Sequence, residues 1–190
     1  MAADPHKPAK TRTRQTRDWI IESFNRLVLR RRYSDISVAE LANRAGVGRS
    51  TFYEHFGHKD DVLRSAVRVI LEPMAQLVRE EPGDGDAGGG LGVIAVIEDV
   101  REQKAAAMAM LEGEARVQLE QALQDLVVDE LSRLRSSDRG AMVWLLGAQI
   151  ACAQLGLLRA WLEAPTPVCT AAELAAMMRA STRAMVAGAG

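Results

Sequence analysis

The 190-residue chain is poor in the residues that cross-linking and catalysis need. Cysteine occurs only as Cys152 and Cys169, seventeen positions apart with no histidine near them, which excludes a disulfide framework and a Cys/His zinc site. A reducing, cytoplasmic setting is expected. The three histidines, His6, His55 and His58, all lie in the first third, so the remainder has no imidazole to offer as ligand or general base. No G-x-x-x-x-G-K-[ST], H-E-x-x-H or G-x-S-x-G occurs, and the carboxylates are scattered rather than paired at acid/base spacing. Neither an enzyme nor a bound metal or cofactor is expected. The opening MAADPHKPAK lacks the apolar segment of a signal peptide or anchor and reads as a disordered basic arm, residues 1–11. The apolar run from Ala141 to Leu158 approaches membrane-span length, but Gly147, Gln149, Gln154 and Gly156 interrupt it and Arg159 follows, so a buried interface helix is expected and no membrane partner.

What is abundant favours helices. Ala, Leu, Glu, Arg and Met dominate, β-branched residues thin out in the second half, and proline and glycine cluster, which predicts an all-α fold of about nine helices. With 48% hydrophobic residues the chain can bury one good core, or two small ones that share a helix. The net charge of -1 conceals a division: residues 1–59 hold 12 Lys+Arg against 6 Asp+Glu, and the remainder holds 12 against 19. A basic N-terminal part joined to an acidic partner domain is the pattern of a nucleic-acid-binding end, or of a solvated basic face.

Along the chain, Ile20, Phe24, Leu27 and Val28 make a helical stripe within Arg12 to Arg31. The next helix has a strong start signal: Ser37 as N-cap, Glu40 completing a capping box, and Ile36 with Leu41 as a staple. Gly46 stands where a left-handed residue ends it, and a short helix from about Arg49 to His55 follows, with Phe52 and Phe56 pointing inward. Lys59 opens a fourth helix in which Asp60 and Asp61 complement the positive helix end and Pro73 is expected to introduce a kink. Residues 82–90, PGDGDAGGG, read as a flexible loop. Helical segments are expected at about Leu91–Leu111, Glu114–Arg135, Asp138–Glu163 and Thr170–Val186. The division is thus 1–11 arm, 12–58 helix-turn-helix domain and 59–190 a second helical domain, whose regulatory and dimerisation roles are what family resemblance implies.

Two short helices joined by a glycine turn form a helix-turn-helix, whose second helix enters the DNA major groove while the first braces it. Such a helix needs one apolar side anchored, here by Phe52 and Phe56, so that its polar side is free to meet bases and phosphates. Arg49 is the foremost base reader, because a guanidinium pairs bidentately with guanine O6 and N7. Ser50 and Thr51 suit bases or a thymine methyl, while Tyr53, His55 and Lys59 suit phosphate oxygens, and Ser37 presents a helix N-terminus to phosphate. Tyr53 equally suits the core edge and His55 the solvated surface. Arg12, Arg14 and Arg17 are placed to follow the backbone or enter the minor groove.

The stretch SVAELANRAGVGRSTFYEHFGHKDDVL resembles the DNA-binding signature of the tetracycline-repressor (TetR/AcrR) family, combining the capping serine, the A-G-V turn, the T-F-Y-x-H-F helix and the following lysine. His58 departs from the Ser or Asn usual in that family, which implies weaker capping of helix four. The resemblance implies a transcriptional repressor with base contacts near Arg49 and Ser50 and phosphate contacts near Tyr53, His55 and Lys59. It further implies a homodimer on palindromic double-stranded DNA, released when a small-molecule effector in the C-terminal domain moves helix four. The last two long helices, rich in small residues, are expected to form the dimer interface, with Leu155, Leu158 and Trp161 as candidates. Met108, Met142, Trp144 and Gln149 are candidate pocket residues. The alternative from another class is a helical protein-interaction module without DNA binding.

Overall fold

A computed structural model describes residues 9–79, 89–134, 140–166 and 168–189; the described residues are helical, with no strand among them. The chain divides into two compact units, Met1–Ala66 and Val67–Gly190.

The first unit begins with α1 (Ala9–Val28), so residues 9–11, read as the end of an arm, are already helical. One side of α1 buries Ile20, Phe24 and Leu27. A 3-10 turn at Tyr33–Asp35 then sets the Tyr33 ring edge-on to Phe24 at 6.1 Å. Helix α2 (Val38–Arg44) starts where Ser37 Oγ accepts from Glu40 N–H at 3.2 Å. The expected capping box is only half made, because Glu40 turns away to pair with Arg31 at 2.9 Å and Arg44 at 3.6 Å. The helix ends at a Schellman turn: Val47 N–H reaches Ala42 O, Gly46 N–H reaches Asn43 O, and Gly46 has φ +69°, a conformation glycine adopts without strain. Helix α3 (Arg49–His55) and the first half of α4 (Lys59–Gln76) close the unit over Phe52, Phe56, Val62 and Leu63.

The second unit holds the rest of α4 with α5 (Gly89–Glu102), α6 (Lys104–Glu112), α7 (Ala115–Leu134), α8 (Gly140–Glu163) and α9 (Ala171–Gly188). The single helix expected over Leu91–Leu111 is broken at Gln103. Of the expected 82–90 loop, Gly89 and Gly90 belong to α5 and the preceding residues lie outside the described ones. Helices α7 and α8 cross closely at Gly147, where an added Cβ would sit 2.6 Å from Val128 Cγ2. Their facing sides supply Leu123, Val127, Leu131, Leu146 and Ile150 to the core. Gln154 is fully buried in it, donating to Met74 O at 3.2 Å and Thr182 Oγ1 at 3.1 Å. The start of α9 carries the complete capping box that α2 lacks: Thr170 Oγ1 accepts from Glu173 N–H, and the Glu173 carboxylate accepts from Thr170 N–H.

Candidate nucleic-acid interface

Helix α3 is two turns long, and its inward side is held by aromatic packing. Phe52 and Phe56 are buried with ring centroids 6.0 Å apart. Tyr53, next to Phe52 in sequence, leans edge-on against that ring at 5.6 Å yet stays 57% exposed, so its hydroxyl faces water. Arg49 and Ser50 are exposed at the helix start, Thr51 and His55 half-buried at its flanks. Among the described residues no ion pair ties Arg49 down, which leaves its guanidinium available to an outside partner.

Around α3 the charged side chains are mostly committed within the unit. Lys59 Nζ donates to Tyr33 O at 3.2 Å and stands 4.4 Å above the Tyr33 ring, while the Tyr33 hydroxyl bonds the Asp60 carboxylate. The start of α4 is thereby fastened to the 3-10 turn. Among the described residues the contact at the start of α4 runs from the helix back to His58, as Asp61 Oδ2 accepts from His58 N–H at 2.9 Å. Arg64 donates to the second oxygen of Asp61 at 2.7 Å, and this hydrogen bond, with that from His58 N–H, holds the carboxyl below its ordinary pKa despite partial desolvation. A carboxylate three residues after the cap position is the sequence signal for this arrangement. Arg17, expected to lie along DNA, is exposed, but its guanidinium is engaged within the unit: it donates to His55 O at 3.2 Å and Ser65 Oγ at 2.8 Å and stands 4.3 Å from the Phe56 ring centroid. Arg14 is exposed, and the side chain of Arg12 lies outside the described residues.

In the second unit two expectations require correction. Leu155, Leu158 and Trp161, expected at an interface between copies, lie in the interior of their own unit, and Trp161 donates Nε1–H to Cys169 O at 2.9 Å. Met142, Trp144 and Gln149, expected to line a pocket, are exposed, and only Met108 is half-buried. The physical reason is shared: α8 is apolar nearly all round, so periodicity does not reveal which side turns inward. A cavity of about 190 Å³ opens between α6, α7 and α8, lined in part by Leu111, Arg116, Leu155 and Arg159. That is smaller than the roughly 300–1,000 Å³ usual for ligand pockets, and both arginines are already paired with glutamates of their own helices.

Comparison with known proteins agrees with this geometry. Residues 20–66 match the family described as bacterial regulatory proteins, tetR family. An uncharacterised HTH-type transcriptional regulator of Haemophilus influenzae is 31% identical over 78 residues; the match spans 40% of this chain and only 38% of that protein. A TetR-family regulator from Streptomyces coelicolor superposes with TM-score 0.56 at 19% identity, covering 97% of this chain and 99% of that one. The TetR-family repressor FadR of Thermus thermophilus, solved with lauroyl-CoA, gives 0.50 at 22% identity over 85% of this chain and 90% of its own. These structures share the fold along nearly their whole length. Residues 20–66 thus carry the match to the tetR family of bacterial regulatory proteins, and the chain shares the all-helical fold of solved TetR-family regulators.

Proposed function

We propose that the protein is a sequence-specific DNA-binding transcriptional regulator that acts as a homodimer. One observation carries the reading: α3 is anchored by Phe52 and Phe56 while Arg49, Ser50 and Tyr53 stand exposed beside them. Arg49 reads a guanine edge, Ser50 and Thr51 adjust to neighbouring bases, and Tyr53 and His55 meet phosphates. Lys59 acts mainly by holding α4 in place. Two such helices must fall about 34–36 Å apart to enter successive major grooves, which requires a dimer and a palindromic site.

For the dimer, the outward stripe of α8 replaces the buried leucines as the contact. Ala141, Leu145, Cys152, Gly156 and Ala160 are exposed along one side of α8, and Ala176, Ala180 and Ala184 along α9. Small side chains at these spacings permit close helix approach. Repression relieved by a small molecule is the accompanying proposal. FadR, solved in complex with lauroyl-CoA, is a relative in fold whose bound molecule carries a long apolar acyl chain, and the interior of the second unit here is aliphatic.

The test is selection from a pool of random duplexes, followed by anisotropy titration across salt concentrations. A recovered palindrome bound tightly and with steep salt dependence supports the proposal; binding without sequence preference sinks it.

A further inference from the structure

A helix of two turns cannot set its own orientation. The capping residue of α3, Gly48, offers no side chain, and among the described residues the polar side chains of α3 make no hydrogen bond to the rest of the unit. Phe52 and Phe56 decide which side faces inward, but apolar contact is non-directional and leaves small rotations and slides inexpensive. Base reading does not tolerate such freedom, since a bidentate guanidinium contact requires placement to within about 0.5 Å.

The directional contact comes from α1. Arg17 Nη1 donates to His55 O, one of the last carbonyls of α3, which has no partner inside its own helix. Its Nη2 donates to Ser65 Oγ on α4, and the guanidinium lies flat enough over Phe56 to bring its carbon within 4.3 Å of the ring centroid. One cation thus joins three helices of the first unit, at the negative end of the recognition helix, where positive charge is favoured. We propose that Arg17 is a positioning residue for DNA recognition: it fixes the orientation of α3, and so sequence discrimination, without touching DNA. This role rests on the DNA-binding reading above.

The test uses the full chain and two duplexes, the sequence that the wild type recovers from a random pool and a scrambled control, each titrated at several salt concentrations. In Arg17→Ala, affinity for the recovered duplex is expected to fall about tenfold or more, while affinity for the control and both salt slopes stay as in the wild type. Arg17→Lys keeps a cation over Phe56 and is expected to recover part of the lost ratio. A phosphate contact behaves differently: both affinities fall together and the slope drops by about one. That outcome, or an unchanged ratio, overturns the role. Should Arg17→Ala lose its helical circular dichroism, Ser65→Ala decides, because it removes one anchor and leaves the arginine; a smaller fall in the ratio supports the role and no change overturns it. A wild type that recovers no sequence overturns the DNA-binding reading itself, whereas a discriminating wild type with an equally discriminating Arg17→Ala overturns only the role of Arg17.

Discussion

Arg49 and Lys59 are both cations at helix starts, yet their surroundings give them different work. Arg49 is exposed and unpaired among the described residues, whereas Lys59 is spent on the Tyr33 carbonyl and ring. Arg49→Ala should therefore cost about 1–3 kcal/mol of specific binding and relax preference at one base-pair position, with folding stability unchanged. Repeating the duplex selection with the variant checks this. Lys59→Ala should instead lower the unfolding midpoint, by the amount expected of a partly buried charge-assisted hydrogen bond, about 1.5–3 kcal/mol in urea titration. If Lys59→Ala leaves stability intact and only weakens DNA binding, its main partner is phosphate and not Tyr33.

At the scale of elements, helix ends and one crossing carry the sharpest consequences. Asp61 caps α4 and pairs with Arg64, and its pKa is lowered in the folded chain. A carboxyl with a depressed folded pKa contributes stability that is present above its unfolded pKa and lost as pH falls through the folded value. Asp61→Asn, which preserves the cap acceptor but cannot titrate, should flatten the acid limb of the stability curve below the ordinary carboxylate pKa of 3.8. Urea midpoints measured from neutral pH down to about pH 3 show it, and an acid limb identical to the wild type's would contradict the assignment. At the α7/α8 crossing, Gly147→Ala drives a methyl into Val128 and should destabilise by about 1–3 kcal/mol, while Gly147→Ala with Val128→Ala should regain much of that loss. At Gly156 nothing lies within 4 Å of an added Cβ in the single chain, so Gly156→Ala should stabilise an isolated subunit by about 0.5–1 kcal/mol through helix propensity alone.

For the whole molecule, the open space at Gly156 becomes a test of assembly. Gly156→Arg places a long charged side chain within the proposed contact stripe, at a position where its Cβ meets nothing in its own unit. Sedimentation should then show monomers, with specific DNA affinity falling by orders of magnitude because two half-sites are no longer read together. A dimer that persists in Gly156→Arg would place the interface elsewhere. The first unit was largely legible in the sequence because local rules determine it: a capping serine, a glycine at positive φ, and two phenylalanines one turn apart report on neighbours within a few residues. What lay beyond reach was long-range. Glu40 had two partners to choose from, its own helix end and Arg31, and only packing settled that choice. Arg17 lies 38 residues from His55 and 48 from Ser65, so no periodicity could pair them. In the second unit the sequence determined that helices form and roughly where, but α8 is apolar nearly all round, and which of its sides became core was decided only when α7 and α9 packed against it.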